Sequence, residues 1–227
     1  MNAMTPLLDV SGLTMRFGGL LAVDGVELSV EPGQIVSMIG PNGAGKTTVF
    51  NCLTGFYKPS GGKIVFDGQE IQGLPGFRVA RRGMIRTFQH VRLFKEMTVV
   101  ENLLVAQHQH MNTSMLAGLF KTPSYRRSER EAMERAAYWL ERVDLHEFAN
   151  REANTLAYGQ QRRLEIARCM VTQPKLLMLD EPAAGLNPRE TDDLKALIAE
   201  LRDNHQLTVL LIEHDMKLVM SISDKIV

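Results

Sequence analysis

Residues 40–47 constrain the fold of this chain more than any other segment. They read Gly-Pro-Asn-Gly-Ala-Gly-Lys-Thr, which matches the pattern G-x-x-x-x-G-K-[ST] of a phosphate-binding loop. The apolar run 35–39 precedes the loop, and a helix is predicted over Lys46–Leu53 directly after it. Because this motif requires a strand that enters the loop and a helix that leaves it, the sequence predicts a strand–loop–helix unit within an α/β fold.

The residue types of this loop suit the binding of ATP. Its glycines let the backbone curl so that successive N–H groups point at an anion. The Lys46 ammonium is expected to neutralise the β- and γ-phosphates, and the Thr47 hydroxyl to ligate Mg²⁺. The predicted ATP-binding residues of the loop are Gly40, Pro41, Asn42, Gly43, Ala44, Gly45, Lys46, Thr47 and Thr48.

A second apolar run, residues 176–179, is followed by two neighbouring carboxylates, Asp180 and Glu181. It is predicted to be a buried strand that places Asp180 in the magnesium shell. Glu181 is then available to polarise the attacking water, as a general base or as a water-positioning residue. A carboxylate pair at a strand end can also serve only as a helix cap. The phosphate loop upstream favours the catalytic interpretation.

Two further polar residues are candidates for the same site. His214 follows the apolar run 207–212 and is expected to donate to a γ-phosphate oxygen, although a lone histidine is more often structural. Gln89 lies in Arg-Thr-Phe-Gln-His, and its amide is a weaker candidate for contacting Mg²⁺ or the attacking water. The predicted catalytic residues are therefore Glu181, His214, Gln89 and Lys46, and the predicted metal ligands are Thr47, Gln89 and Asp180.

Patterning along the chain predicts one domain with a mainly parallel core sheet, an N-terminal antiparallel β subdomain and an inserted helical subdomain. Short strands are predicted at 8–10, 13–17 and 26–30, and a hairpin at 64–66 and 69–71 around Asp67-Gly68. Residues 96–172 are predicted to be mainly helical, with helices at 126–143 and 160–171. The expected boundaries are about 1–88 and 174–227 for the core with its β subdomain, and about 89–173 for the helical part.

Composition restricts the partners and the compartment. The 26 Lys and Arg residues balance 26 Asp and Glu residues, so no global field favours nucleic acid or an anionic membrane. No apolar run approaches the roughly 20 residues of a membrane-spanning helix, and no secretory signal is predicted at the start. Cys52 and Cys169 lack metal-ligand spacing. They are expected to be small buried residues in a reducing cytoplasm.

Residues 156–160, Leu-Ala-Tyr-Gly-Gln, resemble the signature motif of ABC ATPases, commonly written LSGGQ. In that family the signature of one subunit completes the ATP site of another across a head-to-tail dimer. The resemblance implies that Phe17 stacks on adenine, with core burial as the alternative. It also implies that Gln89 belongs to the Q-loop and residues 183–187 to the D-loop. The implied trans-acting ATP contacts are Leu156, Ala157, Tyr158, Gly159 and Gln160.

Three residues depart from the family pattern. Ala157 stands where the signature usually has Ser, Tyr158 replaces a Gly, and Asn187 replaces the usual D-loop Asp. Because Ala157 lacks a hydroxyl, it cannot donate a side-chain hydrogen bond to the γ-phosphate. Backbone N–H groups at the start of a helix still bind phosphate, so ATP hydrolysis is expected with altered contacts between subunits.

The sequence of residues 156–168 and 180–188 is similar to that of the ATPase subunits of bacterial hydrophobic amino acid importers. It most resembles the larger ATPase of the branched-chain amino acid importers. The resemblance implies ATP and Mg²⁺ as cofactors and a position on the cytoplasmic face of the inner membrane. The implied partners are a second ABC ATPase subunit, integral membrane permease subunits and, indirectly, a periplasmic binding protein. No nucleic-acid partner is expected.

Two other functions share most of these residues. A soluble ABC ATPase of DNA repair or translation usually carries two ATPase halves or a long coiled-coil insertion, which are not found in this sequence. The ATPase of an exporter would carry the same catalytic residues, and only the similarity to the importer subfamily and the absence of a fused membrane domain argue against it. Residues 223–227 are predicted to begin another strand, and a shortened chain with an unpaired sheet edge is expected.

Overall fold

A computed structural model of the chain describes residues 5–110 and 122–227. These residues form two compact units. One contains the described residues up to Gln89 together with Pro174–Val227, and the other contains the described residues of His90–Gln173. No described helix is both long enough and apolar enough to cross a membrane.

The first unit contains the described strands and four helices. Its strands are β1 (Leu8–Phe17), β2 (Leu20–Val30), β3 (Ile35–Met38), β4 (Gly61–Phe66), β5 (Gln69–Glu70), β6 (Met84–Arg86), β7 (Leu176–Asp180), β8 (Thr208–Ile212) and β9 (Lys225–Ile226). Its helices are α1 (Lys46–Leu53), α2 (Gly76–Arg81), α6 (Pro188–His205) and α7 (Met216–Ile222). The second unit contains α3 (Val99–Ala106), α4 (Pro123–Arg142) and α5 (Tyr158–Met170), with 3₁₀ turns at Gln107–His110, His146–Phe148 and Ala153–Thr155.

The parallel sheet of the first unit has the order β6-β7-β8-β3-β9, and all of its pairings are parallel. Every residue of β3, β7 and β8 is buried, as expected for strands covered on both faces. The carboxyl ends of parallel strands lie at one edge of the sheet. That edge therefore carries the phosphate loop after β3, Asp180 at the end of β7, and His214 just after β8.

The antiparallel sheet has the order β2-β1-β4-β5. The predicted strands 8–10 and 13–17 are one continuous strand, β1, whose register with β2 shifts around Gly12. Gly12 has φ 63°, and its N–H donates to Glu27 Oε1 at 2.8 Å. The first half of β2 was not predicted from the sequence, because Asp24 and Gly25 interrupt its apolar pattern.

The short elements β6 and α2 were not predicted either. A strand of three residues and a helix of six residues are too short to show a period. By contrast, the predicted helix over Lys46–Leu53 is confirmed, and so is a final strand, because β9 pairs with β3. The predicted α/β fold with parallel and antiparallel sheets is confirmed.

The helix α6 forms as its capping sequence predicts. Asn187 Oδ1 accepts the N–H of Glu190 at 3.0 Å, and Glu190 Oε2 accepts the N–H of Asn187 at 2.9 Å. Such a capping box satisfies two backbone donors at the helix start. The apolar face of α6 is buried, at Leu194, Leu197, Ile198 and Leu201.

In the second unit, α3 begins at a side-chain cap. Thr98 and Glu101 form a capping box at α3, and the Asn102 side chain bonds the backbone of Phe94, Met97 and Thr98. The helix α5 begins at Tyr158, two residues before the predicted start. The predicted helix 126–143 is α4, which starts earlier because Thr122 caps it and Pro123 occupies its first position.

Both cysteines are buried, as predicted, with Cys52 in α1 and Cys169 in α5. Burial raises the pKa of Cys52 to about 11 and that of Cys169 to about 12. Because only the thiolate reacts, a raised pKa keeps both thiols inert near neutral pH. At pH 8 we expect the folded chain to react with Ellman's reagent roughly a hundredfold or more slowly than the urea-unfolded chain. Rapid modification of either thiol in the folded state would contradict the burial.

Candidate nucleotide-binding site

The phosphate loop runs from the end of β3 into α1 and wraps around the Lys46 side chain. Lys46 Nζ donates to the carbonyl oxygens of Gly40 at 2.7 Å and Pro41 at 3.0 Å. Gly45, the N-cap residue of α1, is left-handed at φ 89° and supplies no side-chain cap. The first N–H groups of α1 therefore face the loop without a capping side chain, which is the arrangement that binds an anion.

Gly45 is required by a close backbone contact. A Cβ at this position would lie 2.6 Å from the carbonyl oxygen of Ala22 in β2. At Gly33, which is also left-handed with φ 74°, a Cβ would meet nothing within 4 Å. The two glycines therefore separate the effect of the clash from that of the backbone conformation.

We expect Gly45→Ala to destabilise the chain more than Gly33→Ala. The left-handed conformation alone costs about 1–2 kcal/mol for alanine. The clash at Gly45 adds about 1–3 kcal/mol and displaces the loop. Thermal unfolding and ATP titration of both variants test this difference. Equal stability losses, or full ATP affinity in Gly45→Ala, would contradict the assigned role of Gly45.

Glu181 lies at the centre of a polar triad at the carboxyl edge of the parallel sheet. Its Oε2 accepts from Gln89 Nε2 at 2.9 Å, and its Oε1 lies 2.9 Å from His214 Nε2. An ionised carboxylate only accepts, so this contact places the imidazole hydrogen on Nε2. Glu181 has φ 49°, a conformation that non-glycine residues seldom adopt outside functional or turn positions. Gln89 and His214, which are far apart in the sequence, thus both contact the carboxylate of Glu181.

A cleft of about 210 Å³ joins the phosphate loop to this triad. It is lined by Asn42, Gly43, Ala44, Gly45, Lys46, Thr47, Thr48, Glu181 and His214. A basic loop of backbone donors on one side faces a carboxylate and an imidazole on the other. The arrangement suits a bound polyphosphate whose terminal group meets an activated water.

Asp180 is buried beside this cleft. Its Oδ2 accepts from Arg86 Nη2 at 2.6 Å, and its N–H donates to Thr87 Oγ1 at 3.4 Å. The described residues contain no group of three or more His, Cys, Asp or Glu that could hold a metal ion. A hydroxyl, an amide and one carboxylate fit Mg²⁺, which usually keeps several waters and completes its shell with substrate phosphates.

Phe17, the predicted adenine-stacking residue, ends β1 and keeps 41% of its surface exposed. Its ring packs edge-on against Tyr57, with centroids 5.3 Å apart. Exposure contradicts the alternative that Phe17 is a core residue. Tyr57 was not predicted as a neighbour, because the contact joins residues from separate segments.

The signature residues lie in the second unit, at the start of α5. Ala157 precedes the helix, and its N–H donates to Gln160 Oε1 at 3.0 Å. Leu156 and Gly159 are buried, whereas Tyr158 is 42% exposed and its ring lies 5.6 Å from Arg162 Cζ. Tyr158 therefore adds an exposed aromatic surface where the family signature usually has a glycine.

Glu213 was not predicted as a site residue. Its side chain is buried, with Oε1 accepting from Ala183 N at 2.8 Å and Oε2 from His214 N at 3.0 Å. It thereby ties the segment after Glu181 to the segment that carries His214. The available signal was a carboxylate directly after the mainly apolar run 207–212, since a buried carboxylate must find donors.

Known proteins similar to this chain have the same architecture. A family model described as ABC transporter matches residues 23–184. The ADP conformation of MJ1267, an ATP-binding cassette of an ABC transporter, aligns with a TM-score of 0.84 at 35% identity. That alignment covers 97% of this chain and 85% of MJ1267. A dimeric structure of MJ0796, a bacterial ABC transporter cassette, aligns with a TM-score of 0.81 at 25% identity, covering 97% of this chain and 93% of MJ0796.

Two relatives are similar over nearly the whole chain. The high-affinity branched-chain amino acid transport ATP-binding protein BraF of Pseudomonas aeruginosa is 79% identical, with 98% of this chain and 87% of BraF covered. LivG of Escherichia coli K12, which carries the same description, is 70% identical, with 97% of this chain and 87% of LivG covered. This chain therefore belongs to the ABC transporter family, among its ATP-binding subunits.

Proposed function

We propose that this chain is the ATP-hydrolysing subunit of a bacterial importer of branched-chain amino acids. The observation that carries the proposal is the cleft in which the phosphate loop meets Glu181 and His214. Membership of the ABC transporter family supports ATP hydrolysis. The substrate class is supported by the identity to BraF and LivG, whose names state branched-chain amino acid transport. These relatives favour an importer over a soluble nucleic-acid machine or an exporter.

The residues of the cleft, together with Phe17 and Gln89, have distinct parts in the proposed hydrolysis. The loop N–H groups and Lys46 bind the phosphates, and Phe17 stacks on adenine. Glu181 orients the attacking water and accepts its proton, while Gln89 and His214 hold the Glu181 carboxylate at 2.9 Å each. His214 is also placed to donate to the γ-phosphate when its Nε2 hydrogen leaves Glu181.

Mg²⁺ is the proposed metal cofactor, and it supplies neutralisation of charge on the β- and γ-phosphate oxygens when bound. Thr47, Asp180 and Gln89 are the residues proposed to hold it, with water molecules in the remaining positions. Their oxygen atoms are the hard ligands that Mg²⁺ prefers. The protein's own task is to keep these side chains in place before nucleotide arrives.

We further propose a head-to-tail dimer with a second ABC ATPase subunit. In it, Leu156, Ala157, Tyr158, Gly159 and Gln160 of one subunit contact the ATP on the other. The unit formed by residues 1–88 and 174–227 would then hold the nucleotide, and residues 89–173 would supply the signature. The dimeric cassette of MJ0796 supports such pairing. Permease subunits, a periplasmic binding protein and a peripheral position on the cytoplasmic face of the inner membrane complete the proposal.

Uptake of labelled leucine in an Escherichia coli strain lacking LivG tests this function. We expect this chain to restore uptake, and Glu181→Gln, expressed to the same level, to leave it unrestored. Uptake of an unrelated amino acid serves as the control for membrane integrity. The proposal fails if this chain reaches the membrane fraction and hydrolyses ATP there but restores no leucine, isoleucine or valine uptake.

A further inference from the structure

Arg86 is a buried arginine that joins three elements of the first unit. It ends β6, three residues before Gln89. Its Nη1 donates to Asn51 Oδ1 of α1 at 2.5 Å, and its Nη2 donates to Asp180 Oδ2 of β7 at 2.6 Å. One guanidinium thus contacts the helix that follows the phosphate loop and the strand that ends in Asp180, directly before Glu181.

The surroundings of Arg86 leave it little freedom. Its side chain is 8% exposed and that of Asp180 is 4% exposed. The centroids of the Phe50 and Phe88 rings each lie 5.4 Å from Arg86 Cζ. Its Nε–H is buried and has no hydrogen-bond partner among the described residues. A planar guanidinium fixed by two rings and two hydrogen bonds has one available orientation, which it imposes on Asp180.

The contact between Arg86 and Asp180 occupies only one of the two carboxylate oxygens of Asp180. Oδ2 is taken by Arg86 at a distance typical of a charge-assisted bond. Oδ1 is then the oxygen left for a metal or its water shell. An unpaired carboxylate this deeply buried would rotate toward another donor, and that rotation would move a ligand away from the metal.

We propose that Arg86 is a positioning residue, which fixes the Asp180 carboxylate and thereby makes nucleotide binding respond to Mg²⁺. This inference rests on the proposed function, because it assigns the metal site of the same cleft. Arg86 acts through Asp180 and does not contact the nucleotide. The partners on either side explain why the position needs arginine: lysine has one nitrogen and cannot hold Asn51 and Asp180 in the same fork geometry.

Calorimetric titration with the non-hydrolysable ATP analogue AMPPNP, in Mg²⁺ and separately in EDTA, tests the proposal. The dissociation constant in EDTA divided by that in Mg²⁺ reports how strongly the metal contributes to binding. We expect Arg86→Met to reduce this ratio about tenfold or more, as substitutions beside metal ligands commonly do. Arg86→Lys, which keeps the charge and is the safer variant for folding, should reduce the ratio less.

Arg202 provides a matched control. It also contacts two carboxylates, Asp203 and Asp224, but it lies near the residues that precede β3, β8 and β9, at the opposite edge of the sheet. Arg202→Met should lower thermal stability and leave the metal ratio unchanged. An unchanged ratio in both Arg86 variants would overturn the proposal and leave the proposed function intact. If the unsubstituted chain bound no AMPPNP at all, the proposed function would fall, and the metal role with it.

A double-mutant cycle on stability tests the Arg86–Asp180 contact without any nucleotide. Asp180→Asn is measured in the unsubstituted chain and in Arg86→Met by thermal unfolding. Because removal of one partner leaves the other as an unpaired buried charge, the two losses should be strongly non-additive. Additive losses would show that the two side chains do not act as a pair, and would overturn the proposal.

Discussion

Replacing Glu181 by Gln is expected to lower ATP hydrolysis by about 10²- to 10⁴-fold while ATP binding is retained. The amide has the size of the carboxylate but cannot accept a proton from the attacking water. It also cannot accept hydrogen bonds at both of its terminal atoms, as Glu181 does from Gln89 and His214. With binding intact and hydrolysis blocked, the ATP-bound dimer should accumulate.

Phosphate release, AMPPNP titration and sedimentation in ATP and Mg²⁺ measure these three effects on one protein sample. Glu190→Gln is the matched control, because Glu190 belongs to the α6 capping box and does not line the cleft. It should keep normal turnover with a small loss of stability. Normal turnover in Glu181→Gln would remove Glu181 from its proposed role.

Replacing Lys46 by Ala is expected to weaken ATP binding itself. A hydrogen bond to a charged group contributes about 1.5–3 kcal/mol, so the dissociation constant should rise roughly 10- to 150-fold. Lys46 also holds the loop through its bonds to the carbonyls of Gly40 and Pro41. The variant therefore loses a phosphate ligand and the internal support of the loop together.

Calorimetric titration with AMPPNP checks this result, with thermal unfolding to confirm that the variant is folded. Lys63→Ala is the control, since Lys63 is an exposed lysine paired with Glu70 on the antiparallel sheet. It should bind AMPPNP with unchanged affinity. An unchanged affinity in Lys46→Ala would refute the assignment of residues 40–47 as the phosphate loop.

The parts of the fold that can be predicted from the sequence are those determined by a few consecutive residues. The run from Leu176 to Asp180 is fully apolar until its last residue, so a buried strand with a carboxylate at its end follows from the pattern alone. The starts of α1 and α6 can likewise be predicted, because a loop motif and a capping box each lie within a few consecutive residues.

The parts that could not be predicted depend on contacts between distant segments. Arg86 bonds Asp180, which lies 94 positions away, and Glu213 bonds Ala183, which lies 30 positions away. Neither residue has a local pattern that marks its partner. The strand β6 is similarly defined by its pairing with β7 and not by its own three residues.

The candidate site was predicted as a set of residues, but not as an arrangement. Motif order indicated that Gln89, Glu181 and His214 serve one site, whereas their mutual hydrogen bonds required the folded sheet edge. Glu181 also adopts a left-handed backbone conformation that no sequence rule assigns to glutamate. The roles of these residues stay predictions until the variants above are measured.

The most direct test of the account is an affinity purification of tagged Glu181→Gln protein from detergent-solubilised bacterial membranes, in ATP and Mg²⁺, with mass spectrometry of the bound proteins. Tagged Lys46→Ala under the same conditions is the control that should not form an ATP-dependent dimer. The account predicts recovery of a second ABC ATPase subunit together with polytopic permease subunits. Recovery of the chain alone, or with ribosomes or DNA, would contradict it.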